Sequence, residues 1–337
     1  MLTSRSRYLL VSTLVALLLG HVQSALAAEP PPQVHDNSHY MSSFPKSLRQ
    51  IQPPWSTPIY DGTEVTVPGL ENVPDIHGDI NNPQLVVFFA GNQFMVVNKL
   101  MRAFIEAHPP YPRVVAFTLP PGRLITAIER GNGILLGNMH ITLKPDILTA
   151  GSGSMAALQA KHHWFTRTAA YANNRLAIMV YQGNPRHVTG LESLAAPGLK
   201  LCMPNPEWEG IARQAIIPAL RIAGGEALVN AVYKKKVDQG TTFLTHIHHR
   251  ETPIGIMEQQ CDAGVVWYTE AYFQESVLHH PIETVSIPAR DNQVVTYVAG
   301  IMQTAPHPEA AQAFLQFLTS PAAQAIYRHY GFLPPAS

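Results

Sequence analysis

The stretch Pro83-Gln84-Leu85-Val86-Val87-Phe88-Phe89-Ala90-Gly91-Asn92-Gln93 decides the fold. Leu85 to Phe89 is an unbroken apolar run, the pattern of a strand buried on both faces. Helical spacing follows at once, with Phe94, Val97, Leu100, Met101, Phe104 and Ile105 on one stripe. The alternation then repeats. "RVVAFTL" (113–119) reads as a strand, "GRLITAIERG" (122–131) as a helix, "PDILTAG" (145–151) as a strand and "SGSMAALQAKHHW" (152–164) as a helix. Strand and helix in turn predict a parallel sheet covered by helices.

A second alternation opens on the long apolar strand "RLAIMVYQGNP" (175–185). Strand "LKLCMPN" (199–205), helix "GIARQAIIPALRIAG" (210–224), strand "AVYKKKVD" (231–238), a helix from Thr252 and strand "AGVVWYT" (263–269) follow. The chain crosses back through 283–303 and ends in two helices, 307–319 and 320–331. Ser320 before Pro321 is a capping residue followed by proline at the first helical position. Two α/β units result, with one strand leading out and one leading back. A ligand belongs in the crevice between them, at the carboxyl ends of the strands.

The chain has 337 residues, 46% hydrophobic and 14% charged, which is globular composition. Its first 27 residues read as a signal peptide: Arg5 and Arg7, an apolar run from Leu9 to Leu19, then Ala25-Leu26-Ala27 as the cleavage pattern. No second run of membrane length is read in the remainder, so the mature protein is expected to be exported and soluble, with a retained anchor as the alternative. Losing Arg5 and Arg7 takes Lys+Arg from 23 to 21 against 23 acidic residues, a net charge of about −2. No basic bias points to nucleic acid. Residues 28–80 are rich in Pro, Ser, Asn and His and read as an irregular extension, with "TEVTVPGL" (63–70) as one possible edge strand. The only cysteines, Cys202 and Cys261, read as one disulfide in an oxidising compartment, with two buried thiols as the alternative.

Several turns carry candidate ligand contacts. Gly91, Asn92 and Gln93 lie where a buried strand meets a helix, so backbone N–H groups and the positive dipole end are offered to an anion. Ser152 and Ser154 open the helix at 152 in the same way, or cap it. "PNPEWEG" (204–210) precedes another helix and brings Trp208 and Gly210, although Glu207 and Glu209 would oppose a dianion if they faced inward. Thr252 and Pro253 start a helix, which leaves His246, His248, His249 and Arg250 in the loop before it. Arg250 suits a carboxylate or oxyanion, and the histidines also suit Zn²⁺, Cu²⁺ or Ni²⁺. At the end of the strand from 263 only one of Trp267 and Tyr268 can face the cleft squarely, and Tyr268, Thr269 and Glu270 are the polar candidates, with Tyr268 preferred. The sequence holds no G-x-S-x-G, H-E-x-x-H, Walker or G-x-G-x-x-G motif, and no enzyme is read from it.

Four pieces in this order resemble the periplasmic substrate-binding proteins of ABC importers: 85–93 with 100–109, 174–220, 261–273 and 310–335. The likeness is greatest to the molybdate/tungstate-binding family. It implies an α/β, two-lobed type II periplasmic-binding-protein fold, two Rossmann-like lobes joined by two hinge strands. Lobe 1 would comprise 81–180 with 296–337, and lobe 2 would comprise 181–295. It implies a monomer that captures a small molecule or ion for an ABC permease in the inner membrane, without a cofactor or chemistry of its own. In that family a serine contacts the oxyanion at the position of Asn92. A second serine-bearing turn aligns with "TLPPGR" (118–123), where Pro120 and Pro121 bring no donors. A tyrosine contacts the ligand near Trp267. The expected ligand is therefore a small oxyanion, molybdate-like, or another small anion. The alternatives are a transition metal held by His246, His248 and His249, or an interaction protein that docks a partner through residues 28–80.

Overall fold

The computed structural model describes residues 65–66, 75–131, 133–136, 139–246 and 249–335. The expected signal peptide, most of the 28–80 segment and His248 lie outside the described residues.

The opening stretch forms β3 (Leu85–Ala90), buried at every position, and a single 3₁₀ turn (Gly91–Gln93) leads into the next helix. Strand β3 pairs in parallel with β4 (Val114–Leu119) and β7 (Ile147–Gly151). Helices α1 (Phe94–Ala107), α2 (Pro121–Arg130) and α3 (Ser152–His162) connect these strands. A small hairpin of β5 (Ile134–Leu136) and β6 (Met139–Ile141) sits apart from the main sheet. Two cores flank this half. Phe89, Val97, Leu100, Phe104 and Phe314 fill one side, and Phe88, Phe117, Leu124 and Met155 the other. Each such side chain stabilises the fold by about 1.5–3 kcal/mol when taken from water.

The strand leading out, β8 (Phe165–Tyr181), is 17 residues long, ten residues earlier in its start than the apolar run alone suggests. Its first part pairs with the returning strand β13 (Val294–Met302). Its last part pairs with β11 (Ala263–Trp267) and β12 (Ile282–Ser286). The second half of the sheet is completed by β9 (Leu201–Met203) and β10 (Thr242–Leu244), parallel to each other. All main strands thus join one 11-stranded sheet that passes from one lobe to the other through β8 and β13. Helices α4 (Ile217–Asn230), α5 (Glu251–Met257) and α6 (Tyr268–Tyr272) cover the second half. Helices α7 (Pro308–Leu318) and α8 (Pro321–His329) return to the first, and Ser320 caps α8 by accepting from the Ala323 N–H at 3.3 Å.

Three expectations are corrected. Residues 231–238 are helical, not a strand, and extend one run from Ala212 to Asp238. Leu228, Val232 and Lys236 are all buried, a spacing of four that only a helix puts on one side. This 27-residue run is long and apolar enough to cross a bilayer, so a run of membrane length does recur after residue 27. It breaks at Gly224–Gly225 and packs Ala215, Ile216, Ala219 and Leu220 into the second core, as the wall of a folded domain. Thr252 does not cap α5, which starts at Glu251; the Thr252 hydroxyl is instead 3.5 Å from the Cys202 carbonyl.

A fourth correction concerns the 28–80 segment. Its end is β2 (Asp75–Gly78), buried throughout and antiparallel to β4; β1 (Val65–Thr66), paired to β2 at the sheet edge, is the edge strand expected within 63–70. Cys202 and Cys261 form a disulfide with Cα atoms 5.7 Å apart.

Candidate functional site

A cleft of about 480 Å³ opens where the strands of both halves end. From the first half come Gly91 and Asn92 after β3, Pro120 to Arg123 after β4, and Gly151 and Ser154 at β7 and α3. From the second come Trp208, Gly210, Arg213 and Gln214, with His249 and Trp267. Val295 and Tyr297 of the returning strand form its back. Gly91 has to be small here, since a Cβ would lie 3.1 Å from the Leu119 carbonyl carbon.

Asn92 is buried, and its amide donates to the Tyr297 hydroxyl. Tyr297 is fully buried by its surroundings, which pushes its phenol well above the ordinary range and keeps the proton on. Gln93 turns inward from the cleft: its amide donates to the Tyr171 hydroxyl at 2.6 Å and accepts from the Tyr327 hydroxyl at 3.1 Å. It fixes the turn to β8 and α8 and is not a cleft residue. Ser154 lines the cleft, whereas Ser152 is exposed outside it.

Trp208 is held by its indole N–H, which donates to the Thr245 carbonyl at 3.2 Å, and its ring forms part of the wall. Glu207 is exposed and outside the lining. Glu209 is buried behind the wall, where it accepts from the Thr245 hydroxyl and from the Asn205 N–H. Burial raises its carboxyl to about 7, with the nearby His249 pulling the other way. Neither glutamate therefore faces a bound anion.

The histidine loop is split by the fold. His249 has a left-handed backbone, φ +61, and lines the cleft with Nδ1 2.7 Å from Glu270 Oε1. His246 is exposed, 3.8 Å from Glu251, and faces a separate hollow on the second half. Among the described residues no three His, Cys, Asp or Glu side chains are placed to hold a metal ion.

Arg250 is turned away from the cleft. It crosses to the first half, where Nη2 lies 2.6 Å from Asp75 Oδ2 and the guanidinium carbon 3.5 Å from the Phe94 ring centre. Burial lowers the Arg250 pKa while Asp75 and Glu270 raise it. The carboxylate belongs to β2, 175 residues earlier. Tyr268 also points elsewhere, with the Arg175 guanidinium 4.0 Å from its ring centre. Strand alternation gives the cleft to Trp267 instead. Thr269 is buried and accepts from the Asn174 amide at 2.9 Å.

Arg123, Thr126, Arg213, Gln214 and Tyr297 line the cleft and were not picked out by sequence. The two arginines stand in the first turns of helical runs, where nothing in spacing separates them from surface arginines. Chemically the lining is cationic or neutral: Arg123, Arg213 and His249 are its ionisable cations, and no described lining residue is a carboxylate. Such a cleft binds and orients a ligand, and the helix starts add partial positive charge.

Two half-sheets sharing crossover strands around an interlobe cleft define a solute-binding protein of the type II periplasmic-binding fold. The chain belongs to the bacterial extracellular solute-binding protein family, whose model matches residues 85–333. It is a binding protein and not an enzyme. Solved structures agree in fold. The Azotobacter vinelandii periplasmic molybdate-binding protein is 17% identical over 75% of this chain and 100% of that one, with a TM-score of 0.59. The sulfate-binding protein SubI from Mycobacterium tuberculosis is 18% identical over 74% and 86%, also at 0.59. Iron-bound HitA from Pseudomonas aeruginosa is 12% identical over 74% and 85%, at 0.55. No protein of curated function matches the chain.

Proposed function

We propose that this protein captures a small anion in the interlobe cleft and delivers it to an ABC permease. One observation carries the reading: arginines from opposite lobes, Arg123 and Arg213, line a cleft whose described walls hold no carboxylate. Gly91, Asn92, Ser154, Trp208, Gly210 and His249 contribute to the same walls and are assigned to ligand contact. The molybdate- and sulfate-binding neighbours support an anion; the iron-binding one leaves the metal class for experiment. Lobe 1 is assigned 81–180 with 296–337 and lobe 2 is assigned 181–295, behind a leader cut near Ala27.

Thermal melts of protein stripped of ligand by unfolding and dialysis test this. Anions should raise Tm in proportion to the log of concentration, with about 2.7 kcal/mol gained at a hundredfold excess over Kd. A shift with Cu²⁺, Zn²⁺ or Ni²⁺ and with no anion would reject the proposal.

A further inference from the structure

We infer that the ligand is an organic anion, a carboxylate or phosphate on a carbon skeleton, and not a bare inorganic oxyanion. The inference rests on the anion reading above and narrows it.

The first observation is room. A five-atom oxyanion displaces the space of a few waters, on the order of 100 Å³. The cleft offers about 480 Å³, within the range of roughly 300–1,000 Å³ that suits organic ligands.

The second is that, beyond the Arg123, Arg213, Gln214, His249 and Trp267 side chains, the first-half turns offer few donors. A desolvated inorganic anion needs hydrogen bonds on all sides, since each missing one leaves charge uncompensated in a low dielectric. Here the turn after β4 presents Pro120 and Pro121, which lack N–H groups. One N–H of the Asn92 amide is given to Tyr297, and Ser152 lies outside the walls. Among the described lining residues the hydroxyls are those of Thr126, Ser154 and Tyr297 only.

The third is the nature of the remaining wall. Ile125, Ile211, Trp208, Trp267 and Val295 give it broad apolar and aromatic surface. Such surface favours carbon and repels a hydrated ion. Arg123 and Arg213 are both exposed beside this wall, and Arg213 Nη1 also donates to the Pro206 carbonyl; their remaining N–H groups suit planar or branched anionic heads by forked hydrogen bonds. The ligand would lay its skeleton on Trp208 and Ile211 and set its charge on the arginines, drawing the lobes together.

The test is calorimetry and thermal melting of the stripped full-length protein against two panels. One holds sulfate, phosphate, molybdate and tungstate; the other holds succinate, citrate, glycerol 3-phosphate and 3-phosphoglycerate. A member of the organic panel should bind at least tenfold more tightly than every inorganic anion. Arg213→Met and Arg123→Met should each weaken it at least tenfold, and Trp208→Ala should weaken it several-fold, all with unchanged far-UV circular dichroism. Tightest binding by an inorganic anion overturns this inference and leaves the anion reading standing. Organic binding that neither arginine variant alters also overturns it, because the contact is then elsewhere. Silence from both panels takes down the inference together with the reading beneath it.

Discussion

Replacing Asp75 by asparagine should loosen the two halves of this molecule more than any cleft substitution. Asp75 Oδ2 accepts from Arg250 Nη2 at 2.6 Å and from the Thr118 hydroxyl at 2.8 Å, with both charged partners buried. Coulomb attraction at this separation is about 6 kcal/mol with an effective dielectric near 20. Loss of one partner from such a buried pair costs about 3–5 kcal/mol. Glu270 still attracts Arg250 and the Phe94 ring still faces it, so the lower end, about 3 kcal/mol, is expected. For a chain of this size that lowers Tm by roughly 5 °C. Urea unfolding followed by tryptophan fluorescence would measure it as a double-mutant cycle. Asp75→Asn with Arg250→Met should recover most of the loss, because the Arg250 charge is then not stranded and Glu270 keeps His249 as its partner. A single-variant loss below about 1 kcal/mol, or two losses that simply add, would refute the reasoning.

Other outcomes follow from the same coordinates. Glu209 keeps its proton to about pH 7 in the folded chain, so the unfolded chain has fewer bound protons from about pH 4.5 upward and stability falls through that window by about 3 kcal/mol. His77, lowered to about 4 by burial, works in the opposite sense: the unfolded chain binds the extra proton below about 6.5, and stability falls as pH drops towards 4. Guanidinium melts of Glu209→Gln should therefore show stability rising with pH between 4.5 and 6.5 more steeply than in the parent; parallel profiles would contradict this. Reducing Cys202–Cys261, which closes a 59-residue separation, should remove about 4 kcal/mol in equilibrium unfolding with and without reductant. Gly264→Ala should fail to accumulate as folded protein in a proteolysis assay, since its Cβ would lie 2.3 Å from the Cys202 carbonyl oxygen.

Much of the fold was legible because its strands are buried on both faces and announce themselves as apolar runs. Leu85–Ala90 and Ala263–Trp267 are of this kind. Ala231–Asp238 misled because apolar and lysine positions mix there, and only the burial of Lys236 reveals the helical side. That lysine is buried because its ammonium donates to the Ala196 and Leu199 carbonyls, a pairing no local pattern encodes. Strand β2 was invisible for a similar reason. Asp75 and His77 look like surface residues until Thr118 and Arg250 are brought to Asp75. In the cleft, the turns at Asn92, Ser154 and Trp208 were readable, since helix starts after buried strands fix where backbone donors point. Arg250 was not, because its direction depends on a carboxylate 175 residues away.

The tail of the chain meets β8 at Asn173, where backbone bonds run both ways to Leu333 at 2.8 and 2.9 Å and the Asn173 amide reaches the Pro334 carbonyl at 2.9 Å. That anchorage falls beside Asn174 and Arg175, where β8 passes from one lobe to the other. Flexing there would tug on the last residues, so a fluorophore attached just beyond Pro335 would act as a strain gauge for the joint, registering solute uptake without touching the mouth.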